Sequence, residues 1–589
     1  MPSERIGGAT VVAPASGPVG AGPRSSRTGL PPAAGVKRVG GAPLLQPGVA
    51  PPPDYYRNNL LRVLEHVRGQ CADLLGPQET DFIDRLGAVS RDAQRLYARL
   101  LSRKVPRIRL DGLAYAEIGD IEAAVEELAA ASLVELGTDA PTEDLLTLFT
   151  KKELSILFGL RAPTKKALLD SILQRYAGSA VRERLMGLSD WLCLADGQCL
   201  DQVQLLFFGA SAVGGLRADL TTFVLEDLGA ARFEDYAISP DRRLFRDRSE
   251  LRRYLALRDL NDLSHRVSEH VGLADAVLVA LANVPEAVTR LERRLRDRTL
   301  NRLGRWFERT GRHRDALRCY VRSTSHPARE RRVRILSRFG EERAAATLLD
   351  EIARDPQCPE EKDFAARFGK RSAHGMPPVT AVSLKEGTQE SVESRALAWF
   401  KASGGEGWHL ENHLPLGLAG LAFWDVIFAP VDGVFLNPCQ AGPMDLFWED
   451  FTVERRDGLA RAKAALEEPR QFSRVLKTTL EAKRGIVNRL VSWRHLDAPR
   501  LRRILETVPH RVLFPLVCHV IDNLRMARTG FPDLLILYGS DNYEFVEVKG
   551  PNDQLQPAQR VWFKYFRENG CNARILKFKA PKPDGRNQR

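Results

Sequence analysis

From residue 54 onward the chain alternates apolar and polar positions with a helical period. Leu60, Leu61, Val63, Leu64 and Val67 recur at three- and four-residue spacing, as do Ile121, Ala124, Val125 and Leu128. Tyr115 to Leu136 reads as two helices followed by an apolar Ser-Leu-Val-Glu-Leu run. Further on, Thr150 with Glu153 three places later has the form of a capping box, Gly159 stops that helix, and Thr164 opens another that begins with Lys165 and Lys166. Helix after helix follows to about residue 370, broken by short Gly and Pro signals. Residues 371–395, rich in Gly, Pro, Ser, Thr and charge, read as a linker. Near the C-terminus a β-rich apolar run replaces the helical period. Leu534–Tyr538 and Tyr543–Lys549 predict two strands joined at Gly539, Ser540 and Asp541.

A chain of 589 residues is too long for one hydrophobic core, so several domains are expected. Its 44% hydrophobic content is ordinary for a globular protein. Residues 1–53 are the exception, a Gly-, Pro- and Ala-rich stretch that reads as a disordered tail, and residues 581–589 form a basic tail. No run of about eighteen apolar residues exists; the best candidate, Leu414 to Phe428, is broken by Pro415 and Asp425, which excludes a transmembrane helix. Eight cysteines without a CxxC pair argue against a disulfide framework and a structural zinc site. The net charge of +12 suggests a polyanionic partner, with nucleic acid the default. That charge is concentrated between Arg290 and Arg314, where ten arginines face only Glu292, Asp297 and Glu308. Such density favours phosphate contact through residues such as Arg293, Arg294, Arg298 and Arg302.

The chemistry lies in the hairpin. With a three-residue loop, Tyr538 faces Asn542, and counting back along the ladder sets Asp533 opposite Glu547. Glu547 and Lys549 are two apart and share a face, whereas Val546 and Val548 point into a core. Two carboxylates and an ammonium group placed together are costly unless a cation compensates. Hard oxygen ligands suit Mg²⁺ or Mn²⁺, one ion or two, and Lys549 is placed to orient or deprotonate water or to offset charge on phosphorus. The competing reading is an edge hairpin with a surface Glu–Lys pair.

Pro532-Asp533 followed fourteen positions later by Glu547-Val548-Lys549 resembles the PD-(D/E)xK nuclease signature, and EVKGPNDQLQPAQ is similar to the hallmark of its VRR-NUC subgroup. The upstream HLENHLPLGLAGLAFWDVIF and NPCQAGPMDLF resemble the Fanconi anaemia-associated nuclease family. Its domain order fits as well. Residues 54–140 are helical, either winged-helix-like or a plain bundle; 141–180 resemble a SAP hairpin; 181–370 resemble tetratricopeptide repeats at Gly311, Ala316 and Tyr320, with a weaker copy begun by Gly340 and Ala344; 396–580 would be the VRR-NUC domain. The expected fold is therefore a mainly α N-terminal body with a C-terminal α/β nuclease domain. The resemblance implies Asp533, Glu547, the Val548 carbonyl and Glu411 as metal ligands, Lys549 as the catalytic lysine, and Glu411 as an acidic residue from the preceding helix, thirteen positions before Trp424. Gln559 and Lys564 are candidates for phosphate contact on a helix expected to pack through Val561, Trp562, Tyr565 and Phe566. Gln440 and Asp445 repeat family residues without an evident chemical role. The implied activity is a metal-dependent 5′-flap endonuclease and 5′-to-3′ exonuclease in DNA repair, including interstrand crosslink repair. A four-way junction resolvase and a non-catalytic DNA-binding scaffold are the alternatives. The Cys- and His-free residues 1–53 supply no ubiquitin-binding zinc finger, a monomer is expected, and a bacterial member would be cytoplasmic and nucleoid-associated.

Overall fold

The computed structural model describes residues 54–579 apart from 102, 104–106, 138–139, 210–231, 271, 369–377, 384–390 and 540. The tails at 1–53 and 581–589 lie outside the described residues. Helices Tyr55–Cys71, Pro77–Ala88, Arg91–Leu101 and Ile121–Ala130 bury Val63, Val67, Phe82, Leu96, Tyr97 and Leu128 in one core. Strands β1 (Arg107–Arg109), β2 (Val134–Leu136) and β3 (Trp191–Leu194) form an antiparallel sheet in the order β1-β3-β2. The 54–140 segment is thus helices plus a small sheet, not a plain bundle, and its central strand arrives from beyond residue 190. Between β2 and β3 sit four short helices around Leu146, Phe149, Leu168, Ile172 and Val181. The Thr150 hydroxyl accepts from the Glu153 backbone N–H while the Glu153 carboxylate takes the Thr150 N–H, as the capping box requires.

Helices Arg290–Arg309, His313–Arg322, Ala328–Arg338, Glu342–Arg354 and Pro359–Arg367 stack as successive hairpins. Gly304 is there because a Cβ would come within 2.7 Å of the Tyr320 ring, so the first two helices touch backbone to aromatic face. Ala316 and Tyr320 are buried as the repeat pattern predicts. In the second copy Ala345, not Ala344, is the buried position, five residues after Gly340 as Ala316 is five after Gly311.

The C-terminal domain is built on a five-stranded mixed sheet, β4 (Val379–Ser383), β8 (Ala573–Lys579), β7 (Asn542–Lys549), β6 (Leu534–Gly539) and β5 (Glu406–His409), in that order. β4, β8 and β7 are parallel, and β6 and β5 continue antiparallel. The expected linker at 371–395 is corrected here, because it contains β4. One short edge strand between polar flanks leaves no periodicity to read. Helix Val392–Ala402 covers one sheet face, packing Ala396 and Phe400 on Leu534, Ile536, Val546 and Val548. Helices His413–Ala422, His510–Asp522 and Pro557–Glu568 cover the other face over Leu535, Leu537 and Phe545. Trp562, Tyr565 and Phe566 are buried there, but Val561 is 43% exposed, contrary to the predicted stripe.

Candidate active site

β6 and β7 pair Leu534 with Val546 and Leu535 with Phe545, so the ladder carries Asp533 to a place opposite Glu547. Near the loop the register shifts at a bulge, and Gly539 rather than Tyr538 pairs with Asn542. Asp533 lies one residue before β6, and its Oδ2 accepts the Val548 N–H at 2.7 Å. Its carbonyl accepts the N–H groups of Leu410 (3.0 Å) and Glu411 (3.2 Å). These two bonds bring Glu411 into the site. Glu411 occupies the turn between β5 and the 413–422 helix, with φ +43°, so it comes from the turn before the helix, not from the helix itself. His409, at the end of β5 opposite Leu534, sets its Nε2 2.8 Å from Glu411 Oε1. Ligand atoms of His409, Glu411 and Asp533 all fall within 4.8 Å of one another. His413 is separate: its ring stacks on His495 at 4.2 Å.

Glu547 is 1% exposed and Lys549 8%, with their charged groups 2.8 Å apart. Gln559, on the 557–568 helix, donates its amide to Glu547 Oε1 and accepts from Lys549 Nζ at 2.9 Å. Gln559, expected as a phosphate contact, thus bridges the two charged side chains here. Glu547 Oε2 is enclosed and makes no hydrogen bond to any described residue. Burial, with Asp533 adding like-charge repulsion, pushes the Glu547 carboxyl up to about 7, and burial raises Asp533 too. The His409 hydrogen bond holds Glu411 below its ordinary value, and Glu411 raises His409 in return. An enclosed, unpartnered carboxylate oxygen within electrostatic reach of Asp533 and Glu411 is unstable alone and suits a hard divalent ion. The tight ligand cluster itself is His409, Glu411 and Asp533 and does not include Glu547. The residues present fit such a metal.

Much of the arginine-rich helix is tied up internally, although Arg305 and Arg309 are exposed and make no ion pair among the described residues. Arg290 reaches Asp450 at 2.5 Å and Asp445 at 3.3 Å, Arg294 pairs with Glu449, and Arg302 donates to Asn261 Oδ1 at 2.9 Å and Ser264 Oγ at 2.7 Å. Arg293 donates to the Val288 carbonyl, and Lys165 to that of Thr147 at 2.9 Å. Lys166 is exposed, and Lys564 reaches Asp363 at 3.3 Å. Arg298 has no partner among the described residues. Burial, then Arg294, draws its pKa down to about 10, although solvent still reaches its side chain. Arg489 and Arg528 are lowered for the same reason, and both lie over the Phe447 ring. Arg525 acts electrostatically on both Arg298 and Arg528, so these like charges of the helical body and the nuclease domain lie near one another. The individual residues are visible in the sequence, but their convergence is not. Gln440 accepts the Leu436 and Asn437 N–H groups, and Asp445 holds the buried Arg455 at 2.8 and 3.0 Å, so both family residues have structural roles.

The VRR-NUC domain model matches residues 467–580, and a model described as "FAN1, HTH domain" matches residues 54–135. The chain is 31% identical over 547 residues to the Fanconi-associated nuclease 1 homolog of Pseudomonas aeruginosa, covering 88% of this chain and 94% of that protein. It is 26% identical over 642 residues to human Fanconi-associated nuclease 1, covering 90% of this chain and 63% of the human protein. A crystal structure of paFAN1 bound to 2-nt 5′-flap DNA with a gap superposes with a TM-score of 0.76 at 28% identity, over 91% of this chain and 100% of that one.

Proposed function

The chain belongs to the Fanconi-associated nuclease family, and from that premise we propose that it is a metal-dependent nuclease that cuts 5′-flapped or otherwise branched DNA during repair, including interstrand crosslink repair. The observation that carries the reading is the enclosed, unpartnered Oε2 of Glu547, set among Asp533, Glu411 and Lys549. Asp533, Glu547 and Glu411, with the Val548 carbonyl, would hold Mg²⁺ or Mn²⁺, which when bound makes water more acidic and offsets phosphate charge. Lys549, fixed by Gln559 and Glu547, sets an ammonium group beside the scissile phosphate, where it orients water or donates to a phosphate oxygen. Gln559 limits the movement of both side chains. Arg298, Arg489 and Arg528 make no ion pair among the described residues, and phosphate of the incoming strand would offset their charge. Recognition then follows charge and shape more than base sequence. The paFAN1 complexes contain 5′-flap DNA, which supports a flap over a symmetric four-way junction as substrate. Cutting end-labelled 5′-flap, 3′-flap and four-way junction DNA side by side, with Mg²⁺ or Mn²⁺, tests this. Preferred cleavage of the 5′ flap is expected. Equal or better cutting of the junction would make the protein a resolvase.

A further inference from the structure

Well away from the hairpin, a second group of ligand-type side chains forms where the repeat helices end. His326 precedes helix Ala328–Arg338, Cys358 caps helix Pro359–Arg367, and Glu360 lies in that helix's first turn. The ligand atoms of His326, Cys358 and Glu360 all fall within 4.8 Å of one another, and all three residues are half-buried. His326 Nε2 also meets Glu330 Oε2 at 3.4 Å, the carboxylate backing that orients a ligating imidazole. Two chain segments thus supply two groups each, His326 with Glu330 and Cys358 with Glu360.

Both segments are held independently of any ion. Asn301 donates to the carbonyls of Ser325 and His326 at 3.3 Å. Arg329 joins the Glu361 carboxylate at 2.6 Å to the Asp355 carbonyl at 2.7 Å, and Glu361 accepts the Gln357 N–H at 2.9 Å. The cluster is therefore positioned in advance, which lowers the ordering cost of binding.

We propose that His326, Cys358 and Glu360, backed by Glu330, form a site for a borderline-soft divalent cation, with Zn²⁺ the natural occupant. Mixed sulfur, nitrogen and oxygen donors select Zn²⁺ or Co²⁺ over the hard ions suited to Asp533 and Glu547. A bound cation takes the Cys358 sulfur as thiolate and releases its proton. The clamped helix carries Asp363, whose contact with Lys564 reaches the helix that holds Gln559, so an ion here stiffens the support behind the nuclease site.

Titrating the chelator-stripped, reduced full-length protein with Co²⁺ while recording its absorption spectrum tests the site. Thiolate–cobalt charge transfer at one equivalent is expected, lost in Cys358→Ser and retained in Asp533→Ala, whose other metal site has no sulfur donor. Glu330→Gln should weaken cobalt binding about 10- to 100-fold while keeping the band. Absence of the band in the wild-type protein overturns the proposal. So does its persistence in Cys358→Ser or an unchanged affinity in Glu330→Gln. If Cys358→Ser does not fold, the wild-type spectrum and the Glu330→Gln affinity decide the matter.

Discussion

Glu547 is a carboxylate whose surroundings oppose its own charge. One oxygen is satisfied by Lys549 and Gln559, and the other is enclosed and makes no hydrogen bond to any described residue. Carboxyls raised in the folded state, as Asp533 and Glu547 are, stabilise the metal-free protein while protonated. That stability is lost as pH rises from the ordinary carboxylate range through about 7. Asp533→Asn keeps an acceptor for the Val548 N–H and removes one repelling charge. Above neutral pH the metal-free variant should be more stable than wild type by about 1 kcal/mol, as thermal or denaturant unfolding would show. Its stabilisation by Mn²⁺ should shrink at the same time. Gln559→Ala should leave DNA affinity unchanged and lower kcat about 10-fold or more, because Lys549 and Glu547 lose their shared brace. A matched fall in DNA affinity would make Gln559 a binding group instead.

At the level of elements, the site is a strand pair with a turn and a helix brought against it. The turn at Glu411 is tied to the Asp533 carbonyl, and the 557–568 helix approaches through Gly530. Gly530 has φ +87°, and a Cβ there would sit 2.7 Å from Ala558 and 2.8 Å from the Gln559 backbone. Gly530→Ala should therefore push that helix start outward and reduce cleavage sharply, with little change in the N-terminal body; unaltered kcat would show that the helix yields without moving Gln559. The hairpin was legible because a β-rich apolar run, turn residues and a second strand follow one another. The assumed loop length gave the pairing of Asp533 with Glu547, although it missed the bulge at Gly539. The position of Glu411 was legible only through the family spacing, since nothing local marks a turn that becomes catalytic by pairing with a residue 122 positions away. β4 and β3 were invisible for a related reason: each is short, and each is stabilised by partners supplied from far along the chain.

Across the whole molecule, the helical body and the nuclease domain are joined by charge. Asp445 is fully buried between Arg455, itself 1% exposed, and Arg290 of the repeat helix. Glu449 and Asp450 take Arg294 and Arg290. The ten-arginine run looked like a phosphate surface because these acids lie about 150 residues downstream, beyond any window of local charge. Arg298, Arg305, Arg309 and Arg314, which make no ion pair among the described residues, keep the role that composition suggested for the whole run. Asp445→Ala strands a buried guanidinium and should cost about 3–5 kcal/mol, uncoupling the two parts so that calorimetry resolves two unfolding transitions where the wild type shows fewer. The central claim is that carboxylates at the hairpin, not the helical body, break the phosphodiester. It is tested most directly by incubating wild type and Asp533→Ala with end-labelled 5′-flap DNA, with and without Mn²⁺, and measuring DNA affinity in parallel. Metal-dependent cleavage by wild type alone, with affinity retained in the variant, is predicted. Metal-dependent cleavage by Asp533→Ala would contradict it.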